Sequence, residues 1–356
     1  MDTLPNIKEL SVAHDTTQLD KIGQGNCGTV WAAPCLGCSG HSHLAMKQEN
    51  SSTGRSLSHE LQIHQKLLRA SALGCLPFDI PRSFGFLDAQ NSAVWNDILP
   101  RLHDTYTRRN AIVSEKIIPF PVSTRRLLIR KFSSDIDEKR VMNNLTNEHC
   151  LIRPYLRRRR YRNPKNDTAE QKKWKRPRAF SLQNFPLHLD QMEKLGLDPC
   201  EYAIVMADAL AFMHWVARVD GNDVKFVLAR PRSPPSICCQ HHRKSPQDAY
   251  PHNTGILGPH TMWILDFDLC RDLTLDKSGI EQACNAFWGN DPCYPQPGQS
   301  ATADQRVWDT FEHRFLESSA KALGTRSGQI GVLPSLLMEK IKQTAMDVSK
   351  DEFGNW

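Results

Sequence analysis

The sequence has no apolar run near the roughly 20 residues that a bilayer span needs, so we expect no membrane segment. We also find no signal-peptide pattern in the acidic, polar residues 1–6, and no internal repeat. The 11 cysteines are an odd number scattered over 356 residues, which favours reduced thiols over a disulfide framework. These absences predict a protein of the cytoplasm or the nucleus, large enough for two lobes or one large domain.

Three glycines, Gly23, Gly25 and Gly28, have the spacing of a hairpin that lies flat over a polyphosphate. Lys47, on the next predicted strand, is placed to pair with the α- and β-phosphates of a nucleotide. Dinucleotide-binding folds share the glycine pattern, but they need a helix directly after it, and residues 29–33 read as a strand. An ordinary glycine-rich hairpin is the alternative. The pattern favours a hairpin that resembles the N-lobe of protein kinases.

Further kinase-like segments follow in the expected order. Glu60 lies on a predicted amphipathic helix after the lysine strand, and Glu115 ends a predicted strand that leads into a hinge. An apolar helix over residues 202–214 then precedes Arg218-Val219-Asp220, which resembles the catalytic-loop motif of kinases. The segment 264–268 resembles their metal-binding Asp-Phe-Gly motif. Four such motifs in order predict an α+β, bilobal, protein-kinase-like fold with a strand-rich N-lobe and a helical C-lobe.

The resemblance to kinases implies a role for each matching residue. Lys47 would hold ATP phosphates, Glu60 would orient Lys47, and Asp220 would accept a proton from a substrate hydroxyl. Asp266 would bind Mg²⁺, so ATP and Mg²⁺ are the implied cofactors. The predicted nucleotide-binding residues are Gly23, Gly25, Gly28, Val30, Lys47 and Glu115.

The departures from the kinase pattern leave the activity open. Lys225 stands where kinases hold an asparagine for a second magnesium, and a cation there would repel a metal ion. Asp268 replaces the motif glycine, as in aminoglycoside- and choline-kinase-like enzymes. No Ala-Pro-Glu sequence follows, so an enzyme of this kind would act on a small hydroxylated molecule and not on a protein. The alternative is an inactive, pseudokinase-like interaction module, which would work through a partner, including one in the nucleus.

The chain also resembles a large fungal family of uncharacterised proteins, some of which carry the label zinc finger protein. This resemblance covers nearly the whole chain but implies no activity. It rests on Ile22–Trp31, Cys150–Leu156, Phe180–Asp190, Met206–Leu210, Asp223–Ala229, Trp263–Asp268 and Asn290–Pro292.

Two clusters of cysteine and histidine raise the question of zinc. The first offers Cys35, Cys38, His41 and His43 as ligands, and the second lies within residues 238–242. A loop this short can hardly surround one ion with four ligands, although two from each cluster could do so if the loops met. Neither cluster has zinc-finger spacing. Metal-dependent nucleic-acid binding therefore remains a third and weaker functional class.

Basic residues are concentrated in the segment 153–178, which has twelve Lys or Arg against two acidic residues, about +10 locally. This segment resembles a bipartite nuclear-import signal. It could equally contact nucleic acid, with Tyr161 and Trp174 available for stacking, or be a solvated loop. We therefore divide the chain into an N-terminal lead (1–18), an N-lobe with hinge (19–121), a linking strand with basic insertion (122–179) and a helical C-lobe (180–356).

Overall fold

The fold is mixed α+β, as the sequence predicts. The computed structural model describes residues 18–32, 44–50, 55–102, 106–133, 138–160, 180–232, 255–324 and 330–353. Its strands are β1 Asp20–Gln24, β2 Gly28–Ala32, β3 Leu44–Glu49, β4 Ser83–Leu87, β5 Ala111–Glu115, β6 Ile152–Tyr155, β7 Phe185–His188, β8 Lys225–Ala229 and β9 Thr261–Leu265. Its α-helices are α1 Leu57–Ser71, α2 Ser92–Ile98, α3 Val122–Phe132, α4 Glu138–Met142, α5 Leu189–Lys194, α6 Pro199–Ala211, α7 Lys277–Gly289, α8 Thr302–Leu323 and α9 Leu333–Phe353.

The N-terminal sheet is antiparallel throughout, with the strand order β1-β2-β3-β5-β4. Lys47 on β3 is in register with Val30 on β2 and with Ile112 on β5. Because successive side chains of a strand point to opposite faces, Met46 and Lys47 face opposite ways. Met46 packs with Trp31 in one core cluster, whereas Ile112 packs with Leu57 of α1. The lysine therefore lies on the face that α1 covers.

Helix α1 begins after the N-cap Ser56, whose side chain accepts a hydrogen bond from the His59 amide. Its buried positions recur three or four residues apart, and Glu60 is one of them. On another face the helix is bound to the loop that follows β9. His59 Nε2 lies 2.7 Å from the carbonyl oxygen of Cys270, and Lys66 Nζ lies 2.5 Å from Asp272 Oδ1.

The second sheet has the order β7-β6-β8-β9 and packs with the C-terminal helices. Helix α6 ends in a π-helical turn, Phe212–Val216, and packs against α8, where Arg314 Nε lies 2.7 Å from Asp208 Oδ1. Antiparallel pairing of β8 with β9 sets Lys225 opposite Leu265. Asp266 follows directly in a left-handed conformation, with φ of 69°. The short turn after β9 thus starts at the predicted metal ligand.

One segment differs in secondary structure from the sequence prediction. Residues 122–132 form helix α3 and not a linking strand, with Pro121 as its N-cap and with Leu128 and Ile129 buried. Proline is compatible with a helix start, and Pro121 has extended backbone angles as the N-cap that leads into this helix. The region from residue 180, predicted as a helical lobe, contains strands β7, β8 and β9 besides its helices. Among the described helices, none is both long and apolar enough to cross a membrane.

Candidate functional site

A cavity of about 660 Å³ lies between the glycine hairpin, helix α1 and the ends of β8 and β9. Its volume is within the roughly 300–1,000 Å³ that small-molecule sites occupy. Most of the residues that the sequence analysis selected line it together: Gly23, Gly25, Gly28, Val30, Lys47, Glu60, Glu115 and Asp266.

Lys47 forms the centre of this cavity's floor. Its Nζ lies 2.8 Å from Glu60 Oε2 and 2.6 Å from Asp266 Oδ1, so one ammonium joins β3, α1 and the end of β9. Burial opposes the charge on Lys47, but the two carboxylates raise its pKa above the ordinary value. Burial would raise the pKa of Asp266, yet Lys47 brings it below the ordinary value. Lys47 and Asp266 are therefore both charged at neutral pH, as phosphate and metal binding require.

The glycines of the hairpin serve different purposes. A Cβ on Gly28 would lie 2.5 Å from the main-chain oxygen of Gln48, so β2 and β3 pack too closely for any side chain there. A Cβ on Gly25 would meet nothing within 4 Å. The Gly25 amide donates to the Gly28 carbonyl at 2.9 Å, which closes the hairpin. Gly28 is needed by the sheet, and Gly25 keeps the space beside the cavity open.

Glu115 lines the cavity, but its carboxylate is already bound. Arg232 Nε lies 2.6 Å from Oε1, a second Arg232 nitrogen lies 2.8 Å from Oε2, and the Arg82 amide donates to Oε2 at 3.0 Å. Burial would raise the pKa of Glu115, but these donors lower it. A ligand at this edge would therefore meet the main chain of the hinge and not a free carboxylate.

Asp220 does not line the cavity, contrary to its predicted role as a base. Its side chain is fully buried, and Oδ2 accepts bonds from Arg271 Nε at 3.0 Å and from Gln282 Nε2 at 2.9 Å. Oδ1 accepts from the amides of Asn222 and Arg271. With four donors and no exposed oxygen, this carboxylate holds two loops together and cannot reach a substrate hydroxyl.

Lys225 does line the cavity, although it matches no kinase residue. It forms ion pairs with Asp223 and, at 3.2 Å, with Asp291. Arg153 Nη1 lies 3.0 Å from the same Asp291 oxygen. Burial opposes the charge on Lys225, but the bond to Asp223 and the charges of both carboxylates raise its pKa.

Arg55, two residues before the start of α1, forms a further ion pair. Its Nη1 lies 2.7 Å from Asp268 Oδ2, and 3.7 Å from Asp223 Oδ2. Sequence reasoning missed Arg55, Arg153 and Arg232 because their partners are more than one hundred residues away along the chain. Only the tertiary fold brings these pairs together.

The predicted zinc ligands Cys35, Cys38, His41 and His43 lie outside the described residues, and so does the cluster at 238–242. Among the residues that are described, no group of three or more His, Cys, Asp or Glu is arranged to hold a metal ion. A single carboxylate such as Asp266 is nevertheless compatible with Mg²⁺, which commonly binds one or two carboxylates together with substrate phosphates.

Two arginines in the described part of the basic segment, Arg157 and Arg159, are bound within the fold. Arg157 is half-buried against Trp288, 4.9 Å from the ring centroid, and donates to the carbonyl of Phe287 at 3.0 Å. Arg159 Nη2 lies 2.7 Å from Glu193 and also pairs with Asp304. These arginines are therefore poor candidates for nucleic-acid contact or import. Residues 161–179, with Tyr161 and Trp174, lie outside the described part of the chain.

Comparison with known proteins gives one partial match. A family model described as DUF3669, zinc finger protein, matches residues 262–327, from β9 through α8 and just beyond it. No curated protein matches the chain. The matched span contains Cys270, Cys284 and Cys293, all buried, and burial raises the pKa of Cys293 to about 12. Among the described residues no group of three or more His, Cys, Asp or Glu is arranged to hold a metal ion, so these cysteines give the label no structural support.

Proposed function

We propose that this chain is a kinase-like, bilobal protein that binds ATP with Mg²⁺ in the cavity beneath the glycine hairpin. One observation carries the proposal: Lys47 bridges Glu60 and Asp266 at the floor of that cavity. The order of elements supports it, since a hairpin, a lysine strand, a glutamate helix and a hinge strand occur in sequence. In this proposal β1–β5 and α1 form the N-lobe.

Each of these groups has a defined part in ATP binding. Lys47 supplies the cation for the phosphates, and Glu60 keeps that cation in place. Asp266 is the carboxylate that would hold Mg²⁺, which neutralises phosphate charge when it is bound. Gly25 provides clearance for the phosphates, and the main chain near Glu115 borders the space left for the base.

Thermal unfolding with and without Mg²⁺-ATP tests the proposal. At one hundred times its dissociation constant a ligand stabilises the folded state by about 2.7 kcal/mol, which a shift in melting temperature reveals. Lys47→Met should remove most of the shift, and Asp266→Asn only the part that depends on Mg²⁺. Lys321→Met is a matched control, because Lys321 is exposed on α8 and should leave the shift unchanged. A well-folded wild-type chain that shows no shift at millimolar Mg²⁺-ATP would refute the proposal.

The geometry favours a binding module over a phosphotransferase. Asp220 is enclosed, and the described carboxylates that line the cavity are each paired with a cation: Glu60, Glu115, Asp223, Asp266 and Asp291. A general base must be free to take a proton from the substrate. A nucleotide-binding, pseudokinase-like interaction module, including a nuclear one, is therefore the function that we propose.

Phosphoryl transfer to a small hydroxylated molecule is the second candidate, favoured by the complete set of Lys47, Glu60 and Asp266. ADP release can be measured against a panel of hydroxylated metabolites. Phosphoryl transfer by the wild-type chain would establish an enzyme. If Asp223→Asn abolishes that transfer but keeps the melting temperature and the ATP affinity, Asp223 is the general base. ATP binding without transfer would support the binding module.

Zinc-dependent nucleic-acid binding is the weaker third possibility that the sequence raises. Metal analysis of the purified full chain tests it directly, because a stoichiometric amount of zinc would have to be bound by the Cys35 or Cys238 segments or by both.

A further inference from the structure

The ammonium of Lys225 lies among carboxylates on the wall of the cavity. It pairs with Asp223 and Asp291, and its side chain is only 12% exposed. The strand register sets Lys225 opposite Leu265, one residue before Asp266. Lys225 therefore lies beside the end of β9, directly before the carboxylate that would hold Mg²⁺.

The carboxylates around Lys225 resemble those of a metal site in which the ammonium of Lys225 takes the position of the metal ion. Asp223, Asp266 and Asp291 all line the same cavity. Carboxylates that face one cavity next to nucleotide phosphates are the usual ligands of divalent cations. Here an ammonium, a compact and strongly hydrated point charge, already lies between two of them.

Lys225 is one of four cations that pair with these three carboxylates. Lys47 pairs with Asp266, Lys225 with both Asp223 and Asp291, Arg153 with Asp291, and Arg55 with Asp223 at 3.7 Å. Without Lys225, Asp291 would keep only Arg153, and Asp223 only the more distant Arg55, while the negatively charged phosphates approach. Repulsion between like charges is strong in a cavity that is partly shielded from water.

We propose that Lys225 takes the place of a second divalent cation, so that the cavity binds ATP with one Mg²⁺ and keeps measurable affinity without Mg²⁺. The proposal rests on the nucleotide-binding function proposed above and specifies the metal requirement of that site. It also gives a role to the residue that departs most from the kinase pattern.

Calorimetric titration with ATP, in EDTA and then at stepped Mg²⁺ concentrations, tests this role. The wild-type chain should bind ATP in EDTA, and added Mg²⁺ should strengthen binding in a single saturating step. Lys225→Met, which keeps much of the side chain's length but no charge, should bind ATP in EDTA at least about tenfold more weakly, the loss expected for one hydrogen bond to a charged group. Lys225→Arg should stay within a few-fold of wild type.

Lys225→Asn provides a second, independent readout. It leaves Asp223 and Asp291 without the lysine, so a second Mg²⁺-dependent step should appear in the titration, and it replaces the methionine variant if that variant does not fold. Lys321→Met is the surface control and should match wild type in both buffers.

The outcomes separate this inference from the proposed function. If the wild-type chain and a folded Lys225→Met chain bind ATP in EDTA with equal affinity, the role of Lys225 is overturned and the proposed ATP site is not. Wild-type binding only in Mg²⁺ also overturns it, with the ATP site intact. No binding by wild type in either buffer overturns both proposals.

Discussion

Replacing Gly28 with alanine would place a methyl carbon 2.5 Å from the main-chain oxygen of Gln48 and 3.2 Å from Lys47 Cγ. Real Cβ atoms essentially never come within 3.0 Å of another atom, so strand β2 must move away from β3. The obstacle is backbone inside a paired ladder and cannot rotate aside. Overpacking of this kind costs about 1–3 kcal/mol.

Gly25→Ala is the matched variant, since a Cβ there meets nothing within 4 Å and the residue has no left-handed φ. Alanine also restricts the unfolded chain, which stabilises a compatible site by about 0.4–1 kcal/mol. We therefore expect Gly25→Ala to match or exceed wild-type stability, and Gly28→Ala to fall below it by about 1–3 kcal/mol.

Urea unfolding followed by tryptophan fluorescence measures both variants, with the fully buried Trp31 of β2 among the reporters. The slope of unfolding free energy against urea should stay constant, so that a midpoint change reports stability. Equal stability of the two variants, or a larger loss for Gly25→Ala, would refute the inference that strand packing requires glycine at position 28 and not at position 25.

Two further predictions concern buried polar groups. Asp220→Asn should lower the unfolding free energy by about 3 kcal/mol, because an amide nitrogen would face the donors of Arg271 and Gln282. ATP binding should persist in this variant. Unchanged stability together with lost ATP binding would contradict this prediction. Burial lowers the pKa of His214 from its usual 6.5 to about 4, so the stability present above pH 6.5 is lost as the pH falls towards 4. His214→Phe should flatten that decline in melting temperature. The part due to His149, His64 and His188, whose pKa values burial also lowers, should remain. An unchanged decline would exclude His214.

The sequence predicted the α+β class and the residues whose spacing along the chain is tied to a motif. Gly25, Lys47 and Glu60 lie within one stretch of local hairpin, strand and helix, so pattern and periodicity suffice to place them. The position of Asp220 could not be predicted in the same way. Its burial depends on Arg271 and Gln282, which reach it from a different loop and helix. The motif therefore gives the position of Asp220 along the chain but not the direction of its carboxylate.

Long-range ion pairs could not be predicted from the sequence for the same reason. Glu115 was assigned to the ligand because kinases often have an acidic residue at this position, whereas its partner Arg232 lies 117 residues further on. For the basic segment the sequence left three alternatives open, namely nuclear import, nucleic-acid contact and a solvated loop. In its described part, Arg157 and Arg159 are bound to α7, α5 and α8. Alanine substitutions that test nuclear import should therefore be made at Lys172, Lys173, Lys175 and Arg176 and not at these two arginines.

The bonds from His59 and Lys66 of helix α1 to the loop after β9 have a consequence for signalling. Together with the Lys47 bridge, they join the helix to the end of β9 and to the loop that follows it. A ligand shifts a conformational equilibrium only by its difference in affinity between two states. If the proposed nucleotide binds with the helix held in this position, the helix has no second state for the nucleotide to select. Binding would then act through the stability of the whole chain, and a partner that responds to it would have to contact the glycine hairpin and not the helix.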